Sequence, residues 1–279
     1  MKARRLVKST YATLIFLCLF VVALPSHGDS IKVAVASNFL STAKLLKTEF
    51  EKHSPHNIQI ISASTGQLSH QILNGAPFDV FLSANKNHPK LLMEQLKLSD
   101  HAIFQYAQGS LVLITQQAVS HLPNISSSLK QVLSSSQPVN VIASELQHNI
   151  IEQVLSSANK VAIANAKLAP YGQASEETLS TLSLTQVIKS KMVKGQNIAQ
   201  TFQFFTSGSA DAAFIAYSHW LQSDQKTKGV IKIDTNLHHP IEQWGLVIKP
   251  SQASQAFVQF LSQPQAVSII KASGYSTAL

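Results

Sequence analysis

Between residues 31 and 83 the chain alternates three short apolar runs with two segments of helical period, and this order restricts the fold more than any other feature. Ile31-Lys32-Val33-Ala34-Val35-Ala36 reads as a buried strand, and Thr42 to Lys52, with Ala43, Leu45, Leu46 and Phe50 on one side, reads as a helix. A strand over 58–62 and a helix over 67–73 follow, then the breaker Asn74-Gly75-Ala76-Pro77. Gly75 supplies a helix end and Pro77 forbids continuation. Asp79-Val80-Phe81-Leu82-Ser83 is the next buried strand. Parallel strands need crossover helices, so the β-α-β-α-β order predicts an α/β fold with a mainly parallel sheet covered on both faces.

The pattern returns later. Ser110 to Ile114, Lys160 to Ala164, Ala212 to Tyr217 and Trp244 to Ile248 read as strands. Helices are expected over 173–182, 197–205, 254–261 and 264–273. Two α/β units in one chain predict two lobes with a cleft between them. The middle is less regular. Gln131-Val132-Leu133-Ser134-Ser135 is echoed by Gln153-Val154-Leu155-Ser156-Ser157, which is equally compatible with a local duplication and with coincidence in a Ser-rich stretch.

The amino terminus stands apart. Lys2, Arg4, Arg5 and Lys8 precede an apolar run from Leu14 to Leu24, followed by Pro25-Ser26-His27-Gly28. This reads as a secretory signal peptide over 1–28, with cleavage after Gly28; the run is short for a membrane span. The single cysteine, Cys18, lies inside it, so the exported part needs no disulfide. With 279 residues, 45% of them hydrophobic, the remainder can rely on its core. Setting aside the four basic residues of the signal reduces the formal net charge from +8 to +4. No Lys/Arg cluster interleaved with aromatics occurs there, which argues against nucleic acid as a partner.

Four loops share one design: an apolar segment, a small or hydroxyl residue, then a helix start. They are Ala36-Ser37-Asn38, Ser64-Thr65-Gly66, Ala169-Pro170-Tyr171-Gly172 and Gln196-Asn197-Ile198. The first N–H groups of a helix have no internal partner, and the aligned peptide dipoles leave partial positive charge there. Such an end binds an anion without a charged side chain. In open parallel sheets these loops lie at the carboxyl ends of strands, where ligands bind. Thr65 can offer a hydroxyl and an N–H, and Gly66 lets the backbone come close. For any one junction, a simple N-cap is the commoner explanation of a Ser or Thr, and it is the four together that point to a site. All four loops lack Lys, Arg and His, which fits a site of neutral donors.

Several runs resemble the periplasmic molybdate-binding proteins of ATP-driven importers. They are Val35-Ala36-Ser37-Asn38, Ala63-Ser64-Thr65-Gly66, the stretch Gln71 to Ala84 containing Asn-Gly-Ala-Pro-Phe-Asp-Val-Phe, Ile163 to Gly172 ending in Ala-Pro-Tyr-Gly, Gly195 to Gln200, and Phe214 to Ser218. The resemblance implies a two-lobed type II periplasmic binding fold. Residues 29–108 plus 238–279 would form the first lobe and 109–237 the second. It implies a tetrahedral oxyanion, molybdate or tungstate, held between the lobes, and no other cofactor. Ser37 and Thr65 would give hydroxyl and backbone donors, Tyr171 and Ile198 backbone N–H groups, and Tyr217 its phenol. All would touch the oxygens of the anion and none the metal. It further implies a monomer in the periplasm, without a membrane span once the signal is removed, that delivers its ligand to the transmembrane subunits of an ABC permease. Sulfate, phosphate or an organic anion are the alternative ligands.

Other residues support rival chemistries poorly. His53, His56 and the pair His238-His239 lack the regular spacing of a metal site and read as loop histidines. Asp79 and Asp211 read as structural hydrogen-bonding groups at strand ends, and Glu176 and Glu177 as favourable charges early in a helix. A hydrolase using Ser37 or Thr65 as nucleophile would need a Gly-x-Ser-x-Gly elbow and a base, neither of which is present. The chain is therefore expected not to be an enzyme. Trp244 reads as a packing residue near the lobe crossing.

Overall fold

A computed structural model describes residues 28–116, 144–223 and 229–277. Residues 1–27 of the proposed signal segment and the first copy of the Gln-Val-Leu-Ser-Ser echo lie outside the described residues.

The first sheet has the strand order β2-β1-β3-β10-β4, formed by β1 (Ser30–Ala36), β2 (Asn57–Ala63), β3 (Val80–Ser83), β4 (Ile103–Gly109) and β10 (Ile241–Val247). The second has the order β7-β6-β8-β5-β9, formed by β5 (Leu111–Thr115), β6 (Val161–Ala164), β7 (Met192–Gly195), β8 (Ala212–Ala216) and β9 (Gly229–Lys232). In each sheet three adjacent strands are parallel, β2-β1-β3 and β7-β6-β8. Antiparallel strands then complete it: β10 pairs with β3 and β4, and β5 pairs with β8 and β9. The parallel character expected from the sequence thus belongs to the helix-linked strands, and the sheets as wholes are mixed.

Period-two alternation divides the core of the first sheet. Ile31, Val33 and Val35 of β1 and Val80 and Leu82 of β3 face a cluster with Ala43, Leu46 and Phe50 of α1 (Leu40–His53). Phe50 meets Phe257 edge-on there, at 5.5 Å between ring centroids. Ala34 and Phe81 point to the other side and pack on Leu68 and Ile72 of α2 (Thr65–Leu73) and on Leu92 of α3 (Asn87–Gln95). Burial on both faces explains why these strands read as continuous apolar runs. Each fully buried Leu, Ile or Phe side chain contributes about 1.5–3 kcal/mol. The second sheet repeats the arrangement: Leu111 and Leu113 face α4 (Ser144–Ser157), while Val112 and Ile114 face Phe205.

Local signals act where expected. Gly75 has φ +84°, and the Asn74 N–H returns to the His70 carbonyl, which ends α2. The Asp79 carboxylate accepts from Lys32 N–H at 2.7 Å, and that of Asp211 from the N–H groups of Asn159 and Lys160 at 2.9 Å. Both therefore tie strand ends together. Two boundaries near the junctions differ from the sequence reading. Helix α5 (Pro170–Thr181) starts at Pro170 rather than 173, because proline is suited to a first helical position. Glu176 and Glu177 consequently lie past its first turn, where Glu176 pairs with Lys194 at 3.1 Å and Glu177 accepts from His239 N–H at 2.9 Å. Tyr217 does not end β8; it begins the short helix α8 (Tyr217–Leu221), which follows α6 (Thr185–Ile188) and α7 (Ile198–Thr206) in chain order. The chain ends with α9 (Gln252–Leu261) and α10 (Pro264–Ala272) against the first sheet.

Candidate anion site between the two sheets

The four junctions lie at the carboxyl ends of four parallel strands, two adjacent strands in each sheet: β1 and β2 in the first, β6 and β7 in the second. Ala36, Ala84, Ala169, Tyr171 and Ile198, which come from both sheets, belong to one continuous buried cluster, so these strand ends meet. Gly66 N–H donates to the Leu168 carbonyl at 2.9 Å, joining the Thr65 turn to the loop that enters α5. Helix α7, beginning at Ile198, packs beside the 3-10 turn Ser37–Phe39.

At each helix start the backbone N–H groups can be traced to their partners. In α2, Ser64 is the cap: its Oγ accepts from Gln67 N–H, and the Gln67 side-chain oxygen accepts from Ser64 N–H at 3.2 Å, a capping box. The cap and the candidate donor are therefore different residues. Thr65 Oγ1 accepts from Ala84 N–H at 3.1 Å, which leaves its hydroxyl proton free to donate. In α5, Pro170 has no N–H, and those of Gly172 and Gln173 go to the Ala169 carbonyl. Tyr171 N–H is left without a partner among the described residues. In α7, Asn197 takes Gln200 N–H on its side chain at 2.9 Å and Thr201 N–H on its carbonyl at 3.1 Å, which leaves Ile198 and Ala199. The Ser37 hydroxyl, on a residue 6% exposed, has no partner among the described residues either.

The rings of Tyr171 and Tyr217 have packing partners of their own. The Tyr171 ring is buried at the lobe crossing, and its hydroxyl would stand 1.9 Å from a Cβ at Gly109. Burial and the nearby Tyr275 and Tyr106 hydroxyls push this phenol well above its ordinary range, and it makes no well-directed hydrogen bond. Tyr217 stacks on Trp220 at 5.6 Å, lies under Lys232 and abuts the Gly274 turn. From that segment, Ser218 and His219 are the side chains the structure brings to the Ser37 turn.

These two residues belong to a buried polar network that the sequence reading missed. Asn38 donates its amide to Gln243 at 2.8 Å and to Tyr275 at 3.1 Å, and its carbonyl accepts from Tyr275 at 2.7 Å and Ser218 at 3.1 Å. Burial raises the Tyr275 phenol to about 12. His219 Nε2 meets the Ser37 carbonyl at 3.1 Å. Burial lowers this imidazole to about 4, with the Ser37 bond opposing in part, so it is neutral and carries its proton on Nε2. Only the adjacency of Ser218 and His219 to Tyr217 could have drawn attention to them; their partners lie some 180 residues away in sequence.

A groove of about 320 Å³ opens beside the strand ends, between Ala84, Asn85 and Lys86 on one side and Pro170 and Gln173 on the other. Trp244 lies at its edge, under Lys86 at 4.3 Å and bonded to Glu242 at 3.0 Å. Among the described residues no group of three or more His, Cys, Asp or Glu side chains could hold a metal ion. No described helix is long and apolar enough to cross a membrane.

The chain and its fold are similar to known proteins. The molybdate-binding protein ModA of Azotobacter vinelandii is 33% identical over 259 residues, covering 91% of this chain and 93% of that protein. The Rhodobacter capsulatus protein of the same name is 31% identical over 259 residues, covering 92% of each. The solved structure of the Azotobacter vinelandii periplasmic molybdate-binding protein matches with a TM-score of 0.71 at 30% identity, over 89% of this chain and 100% of that one. The family model for bacterial extracellular solute-binding proteins matches residues 31–276, and the chain belongs to that family.

Proposed function

We propose that the protein captures molybdate, with tungstate as a second ligand, and delivers it to the transmembrane subunits of an ABC permease. The reading rests on one observation above all. Hydroxyl and helix-start N–H groups without acceptors among the described residues stand at the ends of parallel strands in both sheets, at junctions that contain no charged side chain. A fully ionised dianion needs donors only, and each charge-assisted bond contributes about 1.5–3 kcal/mol. A protonated oxyanion would need an acceptor, which such a cradle does not offer.

The cradle proposed here rests on the hydroxyls of Ser37 and Thr65 and the N–H groups of Tyr171 and Ile198. The Tyr217 phenol is the fifth donor implied by family resemblance. Its ring stacks on Trp220, and Tyr217→Phe tests whether the phenol contributes to the cradle. Residues 29–108 and 238–279 would move as the first lobe and 109–237 as the second, closing on the anion by a hinge. Residues 1–28 would direct export to the periplasm, where the protein acts as a monomer. A carrier of this family holds its ligand without turnover.

Calorimetric titration of the exported protein with molybdate, tungstate and sulfate tests the reading. Tight binding of the first two with weak sulfate binding is expected. Binding of sulfate in preference to molybdate would defeat the assignment of the ligand, and no binding of any of the three would defeat the anion site.

A further inference from the structure

Helix α8 crosses from the second sheet to the Ser37 turn and holds the turn at two points and the start of α1 at a third. His219 Nε2 meets Ser37 O at 3.1 Å, Ser218 Oγ meets Asn38 O at 3.1 Å, and Gln222 Nε2, just past the helix, meets Thr42 Oγ1 at 3.2 Å. A trans peptide sends its N–H the opposite way from its carbonyl. Holding Ser37 O and Asn38 O from the side of α8 therefore turns the N–H groups of Asn38 and Phe39 away from α8. The His219 ring also stacks on Phe202 of α7, at 5.7 Å and 22° between planes, and α7 begins with the candidate donor Ile198. One side chain thus touches the Ser37 turn of the first lobe and the helix that presents Ile198 from the second.

We propose that His219 is a positioning residue for anion capture. Its Nε2–H fixes the Ser37–Asn38 peptide, and its ring keeps that peptide in register with α7, so donors from the two lobes are aligned only when the lobes are closed. Ser37 cannot hold this orientation alone, because the turn begins at Ala36 without a side-chain cap. Tyr275 restrains only the following carbonyl, that of Asn38. The proposal rests on the anion-binding reading and adds to it a group that does not touch the ligand.

The test compares His219→Phe, which keeps a flat ring for Phe202 but has no donor, with His219→Gln, which restores an N–H donor. Molybdate affinity, its release rate and the melting temperature without ligand are measured for each. His219→Phe is expected to weaken binding about tenfold, the equivalent of one lost hydrogen bond, mostly through faster release. Its ligand-free melting temperature should fall by no more than about 4 °C, the effect of one lost hydrogen bond. His219→Gln should return affinity to within about threefold of the natural protein. Natural affinity in His219→Phe overturns the inference. So does a loss in both variants that merely follows a lowered melting temperature. A natural protein that binds no oxyanion removes the anion reading and this inference together, whereas equal affinity of the natural protein and His219→Phe removes this inference alone.

Discussion

Gly66 and Leu168 meet across the cleft: the Gly66 N–H donates to the Leu168 carbonyl at 2.9 Å, and a Cβ on Gly66 would lie 3.2 Å from Leu168 Cα. The contact is backbone to backbone, so no side chain can move aside to admit a methyl group. Gly66→Ala is accordingly expected to hold the lobes slightly apart. It should weaken anion binding about tenfold and leave the unfolding midpoint of the ligand-free protein within about 2 °C. Titration calorimetry beside a melting curve checks both halves; unchanged affinity would show that the lobes tolerate the methyl group.

Thr65 combines two tasks, accepting Ala84 N–H and offering its proton outward. Thr65→Val keeps the shape and loses both, whereas Thr65→Ser keeps both. The expected order of molybdate affinity is natural, then Ser within about threefold, then Val lower by at least about tenfold. A Val variant that binds as tightly as the Ser variant would exclude the Thr65 hydroxyl from the cradle.

His219 gives the protein a pH dependence of definite sign. Its folded value of about 4 lies below its ordinary 6.5, so between those values the unfolded chain takes up a proton that the folded one refuses. Stability from this residue is full above 6.5 and falls as pH descends towards 4, by at most about 3 kcal/mol. Burial gives His88 the same sign. Glu51 and Glu177 are both held low, against the opposing effect of burial: Glu51 by Lys47 and the Ile58 N–H, Glu177 by His239 and Gln173. Their loss begins only near and below the ordinary 4.5. Urea unfolding at pH 7.5 and 5 should show a smaller loss for His219→Phe than for the natural protein, and equal losses would contradict the assignment.

At the lobe crossing, Gly109 faces the Tyr171 hydroxyl with only 1.9 Å left for a Cβ. Gly109→Ala should destabilise by about 1–3 kcal/mol through overpacking. Tyr171→Phe removes a buried hydroxyl that lacks a well-directed partner, so alone it should be neutral or stabilising. Combined with Gly109→Ala it should recover much of the loss, because the next ring atom stands 3.0 Å away. Additive effects of the two changes in chemical denaturation would refute the contact.

The strands over 31–36, 58–62, 79–83 and 160–164, and the helix starts after three of them, were legible because each depends on residues close in sequence: apolar runs, a glycine with positive φ, a capping serine. So was the placement of the Ser37 and Thr65 hydroxyls at strand-to-helix junctions. Helix α3 was missed because Lys86 to Gln95 lacks a side-chain cap and carries Pro89, which reads as a breaker, inside its first turn. The antiparallel strands β4 and β9 were missed because their partners are far away in the chain. Tyr217 illustrates the limit. Its run Ala-Phe-Ile-Ala-Tyr is strand-like, yet the tertiary structure turns it into a helix start and directs its ring onto Trp220.

By itself, the sequence determined which residues form buried parallel strands and which junctions expose unpaired N–H groups and hydroxyls, because both follow from interactions within a few residues. Only the tertiary structure decided that Gly66 reaches Leu168, that His219 holds Ser37 and that Asn38, Gln243 and Tyr275 share one buried network. Those pairings depend on how the two sheets are set against each other, and hydrogen bonds between residues 100 to 240 positions apart leave no periodic trace in the chain.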